Sequence, residues 1–265
     1  MQTTGKNRNT IDKFYTNPGI VGKYIEKFKP YLEDDDLIIE PSAGSGVWIS
    51  PLKMYKLIAY DIQPEGKDIQ QKDFLQVDLN EFENNLHFIG NPPFGRQSSL
   101  ARKFIKHITK CERTKTIGFI LPKSFKKDAY QKSFSPRFHL VYEDDVEKDA
   151  FLANGEPYDV PCVFQIWVKR DYEREMPVKL EPIGFTFVKK GENPDYSLRR
   201  VGVYAGNISK DIDNKSEQSH YFIKVEKNCD LFIIKYQGIY WKFNNTVGPN
   251  SINKQEFIRE INKIV

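Results

Sequence analysis

Hydrophobic residues recur along this chain with two spacings, and the spacings alternate. Between 17 and 32, "NPGIVGKYIEKFKPYL", the positions Ile20, Val21, Tyr24, Ile25 and Phe28 step by three and four, which lines one face of a helix. Asn17 is placed to cap it, and Pro18 suits its first turn. Short apolar runs that read as strands follow: one in "DLIIEPSAGSG" (36–46), a second in "YKLIAYDIQP" (55–64), a third at "DFLQVD" (73–78) and a fourth in "LHFIGNPPF" (86–94). Helical spacing returns at 97–111, with Leu100, Phe104, Ile105 and Ile108 inward. Further strands are expected at 116–122, 138–146 and 160–170.

Strands alternating with helices imply an α/β fold with a parallel sheet and crossover connections. The pattern changes near "REMPVKLEP" (174–182). Beyond it come short strand-like pieces, "FTFVKK", "YFIKV", "LFIIKY" and "IYWKF", and a closing helix, "NKQEFIREINKIV". The expected organisation is a first domain over 1–170 and a smaller, β-rich region over 171–265. No repeat or low-complexity tract interrupts either part.

Composition adds little. The 265 residues are 39% hydrophobic and carry a net charge of +4, which allows a nucleic-acid partner without requiring one. The three cysteines, Cys111, Cys162 and Cys229, are isolated, so neither a zinc site nor a disulfide framework is expected. Their scarcity suits a reducing, cytoplasmic setting. "MQTTGKNRNT" has no apolar core of a signal peptide, and no apolar run reaches membrane-spanning length. The expected state is a monomer or weak dimer that is neither secreted nor membrane-bound.

Four short stretches carry candidate chemistry. In "EPSAGSG", Gly44 and Gly46 let a backbone approach a ligand where a strand turns into a helix, although a tight turn needs small residues for its own sake. Asp61 ends the next strand, where a carboxylate can accept both hydroxyls of a ribose, or simply meet solvent. Asp73 can accept from an adenine amino group while Phe74 covers the ring. In "NPPF", the Asn91 amide oxygen and the Pro92 carbonyl can both accept from one planar –NH2, drawing its nitrogen towards a tetrahedral, nucleophilic state. Pro92 and Pro93 hold that turn stiff, and Phe94 can stack on the ring bearing the amine; a plain stiff turn is the alternative.

The order of these motifs resembles the S-adenosylmethionine-dependent amino-methyltransferases, in particular the N6-adenine type with its gamma arrangement, in which cofactor motifs precede the catalytic motif and target recognition lies C-terminal. "KFYTNPGIV" resembles the segment at the methionine end of the cofactor, with Tyr15 and Thr16, and Thr16 at the methionine carboxylate. Glu40, Pro41, Ser42, Ala43, Gly44 and Gly46 resemble the glycine-rich cofactor loop. Asp61 and Ile62 resemble the ribose-binding stretch, Asp73 and Phe74 the adenine pocket, and Asn91, Pro92, Pro93 and Phe94 the catalytic motif. The similarity spans 11–170. It implies a seven-stranded Rossmann-like methyltransferase sheet, S-adenosyl-L-methionine as cofactor, no metal, and an adenine flipped out of DNA as target. Phe151 or Tyr158 would supply a second stacking face. Basic and aromatic residues of the C-terminal region, including Arg199 and Arg200, suit phosphate contacts. RNA bases, a protein glutamine amide and a turnover-dead nucleic-acid scaffold stay open as alternatives. Pro161-Cys162 superficially resembles the Pro-Cys nucleophile of cytosine-C5 enzymes, but it lies in an apolar run and reads as a small buried hydrophobe.

Overall fold

A computed structural model describes residues 15–148, 150–153, 156–241, 243 and 245–264. Lys13 and Phe14 of "KFYTNPGIV", and the whole of "MQTTGKNRNT", lie outside the described residues. The chain divides into two compact units, Met1–Met176 and Pro177–Val265.

In the first unit, β1 (Tyr15–Thr16) leads into α1 (Pro18–Phe28), whose cap is the Asn17 side chain accepting from the Gly19 N–H at 2.9 Å. Then come β2 (Leu37–Glu40), β3 (Lys56–Asp61), the short β4 (Gln70–Gln71), β5 (Leu86–Gly90), α2 (Ser99–Lys110), β6 (Thr114–Pro122), α3 (Asp128–Gln131) and β7 (Phe138–Asp145). β8 (Phe151–Ala153), β9 (Glu156–Tyr158) and β10 (Cys162–Lys169) complete it. The main sheet has seven strands in the order β4-β3-β2-β5-β6-β10-β7. β2 pairs parallel with both β3 and β5, β5 pairs parallel with β6, and β10 runs antiparallel between β6 and β7. This is the Rossmann-like methyltransferase sheet that the resemblance implies.

Strand alternation builds a layer on each face. Ile39, Phe88 and Phe119 face the cluster holding Phe104, Ile105 and Ile108 of α2. Ile38, Ile89 and Ile120 face the cluster holding Val21, Tyr24, Ile25 and Phe28 of α1. A sheet covered on both faces explains why its strands read as continuous apolar runs. At Gly118, a Cβ would stand 2.6 Å from Cδ2 of Phe28, so the missing side chain lets α1 lie against the sheet.

One expected strand is absent. At 73–78 the Asp73 side chain accepts from the Leu75 N–H at 3.0 Å and nucleates a 3-10 turn over Phe74–Gln76. A local side-chain cap competes successfully with the ladder there, and the edge strand is β4.

In the second unit, β11 (Phe185–Val188), β12 (Tyr196–Arg199), β13 (Ile208–Ser209) and β14 (His220–Val225) form an antiparallel sheet in the order β11-β14-β12-β13. "LFIIKY", expected as a strand, lies instead in α4 (Cys229–Gln237). Asn228 caps α4 by accepting from the Leu231 N–H, and Phe232 and Tyr236 share the buried face at helical spacing. The described residues of "IYWKF" form no strand. α5 (Lys254–Ile261) opens with a reciprocal capping box between Asn253 and Glu256.

Candidate active site

The order of the parallel strands fixes where a ligand can enter. From β2 the chain moves outward through β3 and β4, then returns to add β5 on the other side of β2. At such a reversal the loops beyond the strand ends diverge and leave a crevice. A cavity of about 460 Å³ opens there, and its lining is mostly apolar.

The loop after β2 forms one wall. Glu40, Pro41, Ser42, Ala43 and Gly44 all line the cavity. Asp61 braces this loop: one carboxylate oxygen accepts the Gly44 N–H at 2.8 Å and the other accepts the Gln63 N–H at 2.7 Å. Each carboxylate oxygen has more than one lone pair, so acceptor capacity remains for a ligand hydroxyl. Gly46, expected to touch the cofactor, does not line the cavity. Its N–H donates to the Ala43 carbonyl and its φ is +81°, so it shapes the turn.

Glu40 is 1% exposed, and burial, followed by the nearby Asp61 charge, holds its carboxyl well above the ordinary range. Among the described residues its Oε2 has no hydrogen-bond partner. A neutral carboxyl in a dry wall is the state these surroundings favour.

The loop after β5 forms the opposite wall, with Asn91, Pro92, Pro93 and Phe94 all lining the cavity. The turn is tied at both ends. The Ser42 hydroxyl donates to the Asn91 carbonyl at 3.2 Å, and the Phe94 carbonyl accepts the Leu100 and Ala101 N–H groups at 3.1 and 3.3 Å, at the start of α2. Gly95 follows with φ +68°, and a Cβ there would sit 2.9 Å from that of Leu100, so the exit demands glycine. The Asn91 Nδ2 donates to the Thr16 hydroxyl at 3.4 Å, which sets the plane of the amide.

Tyr15, Thr16, Ile62, Asp73 and Phe74 also line the cavity. Tyr15 lies against Gly44 and its hydroxyl donates to the Glu65 carboxylate. The Phe74 ring is 1% exposed and packs among Phe88, Phe104 and His107, so most of its surface belongs to the core.

Other expectations fall elsewhere. Phe151 is buried with α1 and Phe164 and does not line the cavity, because β8 pairs with β1 and turns the ring inward; a stacking role for it is withdrawn. The Tyr158 side chain lies outside the described residues. Arg199 and Arg200 belong to the second unit. Arg199 donates to the Val201 carbonyl and the Ser219 hydroxyl, and Arg200 donates to the Gln218 carbonyl over the Tyr221 ring. Cys162 is buried, and that burial pushes its thiol far up, which is the opposite of what a nucleophile needs.

The cavity also recruits Trp48, Gln63, Lys72, Leu100 and Phe104, none of which the motifs marked. Leu100 and Phe104 carried a signal in their position right after the proline turn, yet their helical spacing made them look like core alone. Gln63 carried no signal, and Lys72 stands directly before the marked Asp73 and Phe74.

The lining suits S-adenosyl-L-methionine: a carboxylate beside a glycine turn for the ribose, aromatic and apolar walls for adenine, and an asparagine turn facing across. The volume is that of a small-molecule site. Among the described residues no group of His, Cys, Asp or Glu is placed to hold a metal.

Over 194 residues the chain is 25% identical to Protein ENHANCED DOWNY MILDEW 2 of Arabidopsis thaliana, covering 63% of this chain but only 14% of that protein's length. Among solved structures it is similar to the 23S rRNA methyltransferase ErmE, at 16% identity over 61% of this chain and 71% of that one, with a TM-score of 0.47. It is also similar to the E. cuniculi Mtq2-Trm112 complex, responsible for methylation of the eRF1 translation termination factor, at 11% identity over 60% and 99%, with a TM-score of 0.43. The profile of the EDM2 methyltransferase-like domain matches residues 31–173, more than half of the sequence, and the chain belongs to that family.

Proposed function

We propose that the chain transfers a methyl group from S-adenosyl-L-methionine to the exocyclic N6 amine of adenine in nucleic acid. One observation carries this reading: the Gly44 turn, Asp61 and the whole Asn91–Phe94 motif line a single cavity at the strand reversal. The bound cofactor supplies an electrophilic methyl on a sulfonium. The chain's residues do the rest by positioning.

Asp61 accepts from the ribose hydroxyls while still holding the Gly44 turn. Asn91 Oδ1 and the Pro92 carbonyl accept the two amine hydrogens and favour a nitrogen whose lone pair is available for attack. Positive charge developing on that nitrogen strengthens both hydrogen bonds, so they act most in the transition state. Phe94, half-buried at the cavity wall, stacks on the target ring. The apolar walls exclude water from the in-line displacement. The first unit carries this chemistry, and the second unit, with Arg199 and Arg200, serves target recognition.

The test is incubation of the full chain with isotopically labelled S-adenosylmethionine and, separately, DNA, RNA and a peptide pool. Digestion and mass spectrometry should find label in N6-methyladenine from one of the nucleic acids. Label in guanine or in glutamine would overturn the adenine assignment. The DNA and RNA arms decide the polymer.

A further inference from the structure

A second cavity, of about 500 Å³, lies wholly within the second unit and resembles the first in size alone. Arg199 and Lys215 line it together with the hydroxyls of Ser197, Ser209, Ser216 and Ser219. No aspartate or glutamate is among its described lining residues. Asp211, which is not among the lining residues, pairs with Lys215 at 3.0 Å.

The cations are held in place. Arg199 is fixed through Nε to the Val201 carbonyl at 2.8 Å and through Nη1 to the Ser219 hydroxyl at 3.2 Å. His220, also on the wall, is lowered from its ordinary range by burial, with the hydrogen bond to the Ser216 carbonyl and the Asp211 charge opposing and the charges of Arg199 and Lys215 adding to the shift. Two cations and no carboxylate are among the described residues that line the cavity, a lining that favours an anion.

At the rim the chain turns through 200–206 and exposes two apolar side chains, Val203 at 85% and Tyr204 at 70%. Tyr204 lines the cavity. This turn is rigid. The Gly206 N–H donates to the Arg199 carbonyl, the Arg199 N–H donates to the Asn207 carbonyl, and the Tyr236 hydroxyl donates to the Gly206 carbonyl. An exposed aromatic ring on a pinned turn, beside fixed cations, is the arrangement that grips a nucleotide by its phosphate and its base face.

We propose that this cavity is a nucleotide site: Arg199 and Lys215 receive a backbone phosphate of a single-stranded nucleic acid, and Tyr204 stacks on an adjoining base. The proposal deepens the nucleic-acid reading above and rests on it. It names the contact that holds the strand, apart from the chemistry.

The test is fluorescence anisotropy of the full chain with labelled single-stranded DNA and RNA 15-mers, without S-adenosylmethionine. Lys215→Gln and Tyr204→Ala should each weaken binding by about fivefold to tenfold, the size of one lost charge-assisted or stacking contact. Lys215→Gln should also flatten the log–log salt dependence by about 0.7, while Tyr204→Ala should leave that slope unchanged. Lys215→Arg and Tyr204→Phe should bind like the wild type. Arg199→Gln should follow Lys215→Gln, but Arg199 also ties the turn together, so Lys215 and Tyr204 are the positions that decide the outcome. Folded variants at both positions that bind like the wild type would overturn the site. Displacement of the strand by AMP or by a phosphoserine peptide at comparable concentration would overturn its assignment to a strand. Loss of binding in these variants, with no methyl transfer by the wild type, would keep the site and reject the methyltransferase reading. Methylation of a strand whose binding ignores these residues would do the reverse.

Discussion

Two cavities of nearly equal volume sit in the two units, and their linings differ in charge and in aromatic content. The first combines proline, phenylalanine, tryptophan and leucine with three carboxylates, Glu40, Asp61 and Asp73, and the Asn91 amide. The second is walled by serines, asparagines, an arginine and a lysine. Volume therefore says little about what a pocket takes. A mostly apolar lining strengthens each polar contact made inside it, which suits chemistry on a small cofactor. A cavity lined by an arginine, a lysine and several serines, with an aromatic side chain beside them, suits a polyanion.

Substitutions can break this contrast, and the largest effect is expected at Asn91. Asn91→Ala should lower kcat by roughly 100-fold to 1,000-fold, the range seen when one preorganised hydrogen-bonding group is removed from a transition state. Strand affinity should stay unchanged, because that belongs to the other cavity. Single-turnover kinetics beside anisotropy reads both quantities, and a parallel loss in both would merge the two roles.

Next is Phe94→Ala, which should weaken capture of the target base by about 1–3 kcal/mol, seen mainly in KM, for one lost stacking partner. Phe94→Tyr should be milder. An unchanged KM would reduce Phe94 to a wall of the cavity.

Ionic strength should separate the cavities without mutation. Between 50 and 200 mM salt, strand affinity should fall by roughly tenfold or more, as phosphate contacts release counterions. Affinity for S-adenosylmethionine should change little over the same range. Equal salt dependence would mean that both ligands depend on surface charge.

The smallest effect concerns Glu40. Burial raises its carboxyl in the folded chain, so above the ordinary carboxylate range the unfolded chain releases a proton that the folded chain keeps. Stability should thus fall as pH rises from there, until the folded group itself ionises. Glu40→Gln should flatten that slope and raise the thermal midpoint near pH 8. A calorimetric pH series tests the sign, and a midpoint lowered at pH 8 would contradict it.

The two units also differ in how openly the sequence announces them. The β2, β5 and β6 runs are buried on both faces, so their continuous apolar character survives in the linear sequence. "EPSAGSG" and "NPPF" combine glycine, proline and asparagine in ways that only a special turn explains. What stayed hidden depends on competition between local and distant partners. Asp73 spends its side chain on its own turn, which converts an expected strand into a 3-10 turn. Phe151 looked like a loop aromatic because its partner strand, Tyr15–Thr16, is two residues long and far away in sequence. In the second unit, "LFIIKY" is apolar but for Lys235, and so short a run cannot distinguish a strand from a helix by its period. The cap from Asn228 decides for the helix. The serines and asparagines of the second cavity are scattered over 197–220, and only the pairing of β12 with β13 and β14 gathers them.

Calorimetric titration with S-adenosylmethionine tests most directly whether the first cavity holds the methyl donor. The wild-type chain should bind one equivalent, and Asp61→Ala should weaken it by about 1–3 kcal/mol through loss of a charged acceptor for the ribose. No heat of binding in a folded wild-type chain, or an Asp61→Ala affinity equal to the wild type, would contradict the assignment.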